Sequence, residues 1–301
     1  MRDNGIRDWR YIWRIVTAYH LMKGVFMDIT TCKKLNNGVE IPYLGLGVFR
    51  SAEGKETADA VRWAIEAGYT HIDTAKVYAN EKSVGQGVRD SGMQRETLFV
   101  TTKLWNDDMR ASRQQEAFEE SLKALGMDYV DLYLVHWPVT NYRESWKAME
   151  KIYASGKAKA IGVSNFQIHH LDDLLANSEV VPALNQIELH PRLTQEALRS
   201  YCEKKGIAIE AWSPLGGEGN DIMADPAIKA IAAKHGKSPA QVIIRWNLQL
   251  GIITIPKSVR KERIADNCNV YDFELTKDDV AAINALNQDK RHGPDPDNFN
   301  F

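Results

Sequence analysis

From residue 31 onward the chain alternates apolar runs of four to seven residues with amphipathic stretches of ten to fifteen, and this repetition restricts the fold more than any other feature. The runs fall at residues 44–47, 70–73, 98–103, 130–136, 158–164, 183–188, 207–212 and 252–256. Near-continuous apolar runs suit strands buried on both faces, and parallel neighbours need a crossover, usually a helix, between them. Eight such units predict an α/β fold of the closed (β/α)8 barrel type, which typically needs about 250 residues. An open doubly wound sheet is the alternative. It would carry a G-x-G-x-x-G turn after its first strand, and the chain offers only the fragments Gly45-Leu46-Gly47 and Gly85-Gln86-Gly87.

Asn36-Asn37-Gly38 sits between two short strand-like segments and reads as a tight hairpin, expected to cover one end of the barrel. Ser112 to Gln115 and Ser238 to Gln241 have capping-box spacing, and Asp225-Pro226 and Ser238-Pro239 place a cap before a first-turn proline. Phe118, Leu122 and Leu125 make one apolar stripe that Gly126 is expected to end. Extra C-terminal helices are expected near 239–249 and 276–287. The Pro/Asn/Asp-rich tail 292–301 has no period and is expected as a loop over the barrel mouth. No linker divides residues 27–301, so a single domain is expected there.

Residues 1–26 are basic and partly apolar, with Trp9, Ile12, Trp13 and Val16 spaced along one helical face. Their longest uncharged run, 15–22, contains Thr17, Tyr19 and His20, which is a poor match to a signal peptide. Two expectations stand: an N-terminal helix, or a leader upstream of a true start at Met27, because Lys23-Gly24-Val25 can be encoded by a purine-rich ribosome-binding sequence.

Charge narrows the partners. Lys plus Arg is 38 against 40 Asp plus Glu, a net charge of -2, with no like-charge run to track phosphates or anionic lipid. Nucleic acid and membrane surfaces are therefore not expected partners, and no stretch approaches the 18 or more apolar residues of a membrane span. Cys32, Cys202 and Cys268 are an odd number without metal-type or redox-type spacing, which fits a reducing cytoplasm.

In a barrel the chemistry sits at the carboxyl ends of the strands, and here nearly every apolar run closes on polar residues. Asp73, Lys103 and His136 end the second, third and fourth, and Tyr78 lies five residues past Asp73, within reach to fold back over it. A tyrosine hydroxyl, ordinarily near pKa 10, is a poor acid at neutral pH, but a neighbouring ammonium stabilises its phenolate. Lys103 is expected to supply that ammonium, Asp73 to hold it charged, and His136 to hydrogen-bond a substrate carbonyl oxygen. The result would be a proton donor aimed at a developing alkoxide.

The motifs around these residues resemble the aldo-keto reductase family. They are Asp73-Thr74-Ala75-Lys76-Val77-Tyr78 with Asn80-Glu81 and Val84-Gly85, then Thr102-Lys103-Leu104-Trp105, Leu134-Val135-His136-Trp137-Pro138, Gly162-Val163-Ser164-Asn165-Phe166 and Ile255-Pro256-Lys257-Ser258, in the family's order. The resemblance covers about residues 27–301 and implies a monomeric barrel that reduces aldehydes and ketones with NADPH, bound without a Rossmann fold. It implies that Tyr78 is the general acid, that Lys103 and Asp73 tune it, and that His136 orients the carbonyl. For the cofactor it implies Trp212 against the nicotinamide, with Ser164, Asn165 and Gln186 at the carboxamide. Ser213, Leu215 and Gly216 would line the pyrophosphate, Lys257, Ser258 and Arg263 the adenosine 2′-phosphate, and Asp266 and Asn267 the adenine. Two cations and a hydroxyl at one phosphate favour NADPH over NADH on charge grounds.

Three positions depart from the pattern or complicate it. Trp212 stands where many members outside the bacterial branch have Tyr, and Asp266 where Glu is common. Lys76 could add a second cation near the site or point to solvent. Val48, Phe49, Trp105 and Trp137 are expected to wall a pocket for small, aromatic or α-dicarbonyl aldehydes and ketones, with keto-sugars a further class among bacterial relatives. Two rival readings remain open from the sequence. His71, Asp73, His136, Glu188 and His190 also lie at strand ends and could ligate a metal for hydrolysis or isomerisation. Some proteins resembling the family are non-catalytic NADPH-sensing subunits.

Overall fold

The structure is a computed structural model that describes residues 27–217 and 219–299. The expectations for residues 1–26 lie outside the described residues. Strands β1 (Cys32–Lys34) and β2 (Glu40–Pro42) form the expected hairpin, with Lys34 opposite Glu40. Eight parallel strands follow: β3 (Leu46–Gly47), β4 (His71–Asp73), β5 (Phe99–Leu104), β6 (Val130–Val135), β7 (Ala158–Ser164), β8 (Leu184–Glu188), β9 (Ala208–Trp212) and β10 (Ile253–Thr254). Each pairs with its neighbour in chain order. Bridges Leu44 to Thr254 and Gly47 to Lys257 then join the first segment to the last and close the barrel.

The helices around it begin and end for local reasons. The helix α1 (Lys55–Glu66) follows β3, α2 (Glu81–Asp90) follows β4, and the short α3 (Asn106–Arg110) and α4 (Gln114–Leu125) follow β5. In α4, Phe118, Leu122 and Leu125 are buried as the stripe requires, and Gly126 ends it at φ 65. The capping box expected at Ser112 does not form. The helix starts at Gln114 after Arg113, because the chain must first reverse out of α3: Ser112 takes a left-handed φ of 55 and its N–H bonds the Met109 carbonyl. Further on come α5 (Tyr142–Ala154), α6 (Ile168–Leu175), α7 (Glu196–Lys204), α8 (Pro226–His235) and α9 (Pro239–Gln249). The Asp225 carboxylate accepts from the Ala227 N–H at the start of α8, and Ser238 and Gln241 exchange both bonds of a capping box at α9. Last are α10 (Lys261–Cys268) and α11 (Lys277–Asn284), the latter inside the stretch 276–287 expected for it.

Alternation along the strands sorts the side chains into two regions. Ile72, Val100, Tyr133, Val135, Ile187, Ile209 and Ala211 join the apolar layer beneath the helices. Phe99, Leu132, Leu134, Leu184, Ala208 and Ile253 form a separate cluster with Leu35 and Ile41 of the hairpin, so β1 and β2 plug the amino-terminal end. Above that plug the same inward positions turn polar: His71, Asp73, Thr101, Lys103, Gln186, Glu188 and Glu210 are all buried. The register pairs Gln186 with Glu210 and Glu188 with Trp212, which stacks the polar residues in layers up to the mouth.

Candidate active site

At the carboxyl end, Lys103 is fully buried and donates to the Asp73 carboxylate at 2.6 Å and to the Thr74 carbonyl at 2.8 Å. The other Asp73 oxygen accepts from Gln186 Nε2 at 2.8 Å. Burial pulls the Lys103 ammonium toward neutrality, but Asp73, with Tyr78 and Glu210, outweighs it and leaves its pKa above the usual lysine value. Burial carries Asp73 above the ordinary carboxylate value against the pull of Lys103 and Gln186. An ammonium held this firmly in a dry interior requires its counter-charge, so the pair is ionic.

Tyr78 closes a 3₁₀ turn (Lys76–Tyr78) that folds back from β4. Asn80 fixes that turn: its amide donates to the carbonyls of Val48 and Ser51, and its oxygen accepts from the Thr74 hydroxyl. The Lys103 ammonium lies 5.1 Å from the centre of the Tyr78 ring. The expected drop in the phenol's pKa does not occur. Burial raises it, and although Lys103 lowers it by charge and hydrogen bond, Asp73 and Glu210 add to the rise and the net direction is upward. Tyr78 is therefore a phenol that keeps its proton through the neutral range, with a cation beside it to receive the negative charge once that proton leaves.

His136 follows β6 directly and is 7% exposed. Burial and the Lys103 charge push its pKa well below the usual histidine value, so the ring is neutral. Its Nδ1 is buried without a hydrogen-bond partner. The ring meets Tyr78 at 5.7 Å and Trp105 at 5.3 Å, both edge-on. Phe49, 52% exposed, leans on Tyr78 at 5.0 Å. Val48 is buried in the apolar layer beneath the helices, and its N–H bonds the Asp73 carbonyl. Trp137 is stacked on Phe299 at 3.8 Å with the rings 3° from parallel, and Phe299 also meets Trp105 edge-on at 6.4 Å.

Phe299 arrives on the tail, which does run over the mouth. Buried Glu188 anchors it, one carboxylate oxygen accepting from the N–H groups of His292 (2.6 Å) and Gly293 (2.9 Å) and facing His190 Nε2 at 3.1 Å. His292 Nδ1 lies 2.8 Å from the Gly216 carbonyl, its acceptor. Gly293 lies so close to Trp212 that a Cβ there would sit 2.3 Å from the indole.

The residues expected at the carboxamide bond one another. Asn165 donates to the His136 carbonyl and to Ser164 Oγ, both at 3.0 Å, and its oxygen accepts from Trp212 Nε1 at 2.8 Å. Ser164 donates to the Gln186 carbonyl, and Gln186 Nε2 donates to both Asp73 and Glu210. Ser213 (φ 45), Leu215 and Gly216 (φ 85) form the loop after β9, tightened by a bond from the Gly216 N–H to the Ser213 carbonyl. Beyond β10, Lys257 and Arg263 are exposed cations, Ser258 and Asn267 are buried, and Asp266 is exposed.

Lys76 proves to be neither a second cation in the site nor a free surface group, because it is paired with Asp108 at 2.8 Å and Glu120 at 2.7 Å. The five strand-end residues weighed as metal ligands do not assemble. Asp73 is tied to Lys103, Glu188 to His190 and the tail, and His71 to Thr101. The one ligand-like cluster among the described residues is His169, His170 and Asp297. There His170 Nδ1 accepts the Gln167 N–H, which puts the ring proton on Nε2 and takes its lone pair from a metal.

Glu210 and Phe299 escaped the sequence reading. Alternation could have found Glu210, two residues before Trp212 on the same strand face. No pattern marks Phe299, which lies in an aperiodic tail.

The sequence model of the aldo/keto reductase family matches residues 43–288. A 9,11-endoperoxide prostaglandin H2 reductase from Trypanosoma cruzi is 54% identical over 270 residues, covering 89% of this chain and 95% of that protein. Glyoxal reductase from Bacillus subtilis is 51% identical over 269 residues, covering 89% and 97%. Among solved structures, a Bombyx mori aldo-keto reductase in complex with NADP superposes with a TM-score of 0.82 at 43% identity, covering 87% of this chain and 94% of that one.

Proposed function

The chain belongs to the aldo/keto reductase family, and from that premise we propose that it is an NADPH-dependent reductase of small, aromatic or α-dicarbonyl aldehydes and ketones, keto-sugars included, with Tyr78 as general acid. The observation that carries the reading is the buried Asp73–Lys103 pair set beneath a protonated Tyr78, with neutral His136 at the same end. A carbonyl oxygen placed between Tyr78 and His136 would be held by the imidazole and receive the phenolic proton, leaving the phenolate beside the ammonium. The nicotinamide, when bound, supplies hydride from its C4.

The donor inventory fits that ring. The amide hydrogens of Asn165 and Gln186 and the hydroxyl hydrogen of Ser164 are already used inside the protein, which leaves the Gln186 oxygen and the second lone pair of the Asn165 oxygen, whose first takes the Trp212 N–H, as acceptors for a carboxamide NH₂. Trp212 is held by its indole N–H, so its ring is fixed in orientation as a stacking surface. Lys257, Ser258 and Arg263 would take the 2′-phosphate, with Ser213, Leu215 and Gly216 at the pyrophosphate and Asp266 and Asn267 at adenine. Phe49, Trp105, Trp137 and the tail residue Phe299 give the substrate an aromatic wall. The reading includes a cytoplasmic monomer, and no helix among the described residues is long and apolar enough to cross a membrane.

The test is Tyr78→Phe assayed with glyoxal and a benzaldehyde. Turnover should fall by about 10²- to 10⁴-fold, the usual contribution of a positioned acid, while NADPH binding followed by fluorescence is unchanged. Turnover equal to the parent would remove Tyr78 from the mechanism.

A further inference from the structure

Glu210 lies on β9, wholly buried inside the barrel, one layer below Trp212. One of its oxygens accepts from Gln186 Nε2 at 2.9 Å, and the same nitrogen donates to Asp73 at 2.8 Å. Two carboxyl groups thus share one amide beside one ammonium. We propose that Glu210 is a positioning residue for the proton donor: through the shared Gln186 amide it fixes the carboxylate that holds Lys103 beneath Tyr78, and its protonation state sets the charge that Tyr78 faces. The inference rests on the reductase reading given above.

Charge balance supports it. With Lys103 positive and both carboxyl groups ionised, the dry interior would hold one uncompensated negative charge, which is costly at any protein dielectric. A proton on one carboxyl removes it. Asp73 touches the ammonium at 2.6 Å and stays ionised, so the proton belongs to Glu210. The groups around it offer no other relief. From β4 it faces Asp73 and also His71, whose Nε2 is 3.6 Å away and which burial and the Lys103 charge keep neutral by pushing its pKa down to about 3. From β5 it feels Lys103, from β8 it meets the neutral Gln186, and β10 contributes only Ile253 and Thr254. Burial, with Asp73 adding to it, pushes the Glu210 pKa up to about 8.

Glu210 is consequently neutral below about pH 8 and becomes a second buried anion above it. That anion raises the Tyr78 pKa further and makes the phenol a poorer donor. Reduction should therefore slow as pH rises through this range, although Tyr78 itself remains protonated there.

The experiment is a kcat profile for glyoxal reduction with NADPH, for the parent, Glu210→Gln and Glu210→Asp. Parent kcat should fall about tenfold between about pH 7 and about pH 9, the change in the neutral fraction of a group titrating near 8. Glu210→Gln keeps an acceptor for Gln186 and cannot ionise, so its fall should be under about twofold, and Glu210→Asp should restore the limb. A Glu210→Gln profile that superimposes on the parent's would overturn the proposal. A second readout needs no turnover: infrared spectra with ¹³C-labelled glutamate should show a protonated carboxyl at neutral pH that titrates away in the alkaline range and is missing in Glu210→Asp. Absence of that band in the parent also overturns it. Failure of the reductase reading looks different, because the parent would then reduce no carbonyl compound while the infrared titration still reports on Glu210.

Discussion

Replacing Lys103 by Met separates charge from packing, since the two side chains are similar in length and the site is closed to solvent. A unit charge 5.1 Å from the phenol ring is worth about 3 kcal/mol at an effective dielectric of about 20. At 1.36 kcal/mol per unit, that raises the Tyr78 pKa by about 2.2 units and slows proton donation by roughly 150-fold. Asp73 opposes Lys103 at the phenol in the parent, so the Coulomb figure alone overstates the loss. The hydrogen bond from Lys103 to the phenol is lost as well, and together we expect a fall in kcat of about 100-fold with KM for the aldehyde nearly unchanged. The assay is initial-rate NADPH oxidation with glyoxal, with folding checked by thermal melting. Melting carries its own sign. Burial holds the folded pKa of Asp73 above its unfolded value even with Lys103 in place, and removing Lys103 takes away the largest opposing pull, so the contribution of Asp73 is fully present below the unfolded pKa and is lost as pH rises through the folded one. Lys103→Met should accordingly lose melting temperature relative to the parent as pH rises from the acid side toward neutrality. A folded Lys103→Met protein with kcat within tenfold of the parent would refute the electrostatic role assigned to the ammonium.

Two further perturbations test the two ends of the mouth. Phe299→Ala takes from the proposed substrate wall the ring that lies against Trp137; an aromatic contact to a bound benzaldehyde is worth about 0.5–1.5 kcal/mol, so its KM should rise by about 2- to 10-fold while KM for glyoxal moves less, and equal changes for both would separate Phe299 from the substrate wall. Lys257→Met combined with Arg263→Met should raise KM for NADPH by about 10- to 100-fold, as expected for charge-assisted bonds to a phosphate, and leave KM for NADH within about twofold; parallel losses with both cofactors would place those cations elsewhere.

The barrel was legible because its strands are buried on both faces and its helices carry their own start and stop residues. Leu184 through Glu188 shows how far that reaches: the apolar run located the strand, and its polar end marked the mouth. Boundaries failed where tertiary geometry overrode local spacing. Ser112 has the residue types of a cap, but the turn out of α3 claims its backbone and starts the helix later. At the site, Asp73, Lys103 and His136 converge as strand ends should, and Tyr78 joins them from the turn after β4. The direction of the Tyr78 shift was not readable, because it depends on how much water the fold removes from the hydroxyl, and that exceeds the effect of the neighbouring cation. Phe299 was hidden for a different reason: it acts from an irregular tail whose path is set by Glu188, 111 residues earlier in the sequence, through bonds to backbone N–H groups that carry no side-chain signature.

The interior layering ties catalysis to register. Along β9, Ala208, Glu210 and Trp212 face inward in the plug, the polar layer and the mouth, while Ile209 and Ala211 pack beneath the helices. A slip of one residue would exchange those two sets, exposing the apolar layer to the polar centre and turning Glu210 and Trp212 outward. The same alternation on β4, β5 and β8 sends Asp73, Lys103 and Gln186 to the layers in which they bond. A buried ion pair is by itself weak evidence for stability, since its desolvation offsets much of its attraction. In this barrel the pair sits above an apolar plug and inside an apolar ring that can hold the register without it. The polar layers are then free to be chosen for chemistry, and Gln186 joins them into one unit because a single amide nitrogen serves both the carboxylate that holds Lys103 and the carboxyl beneath it.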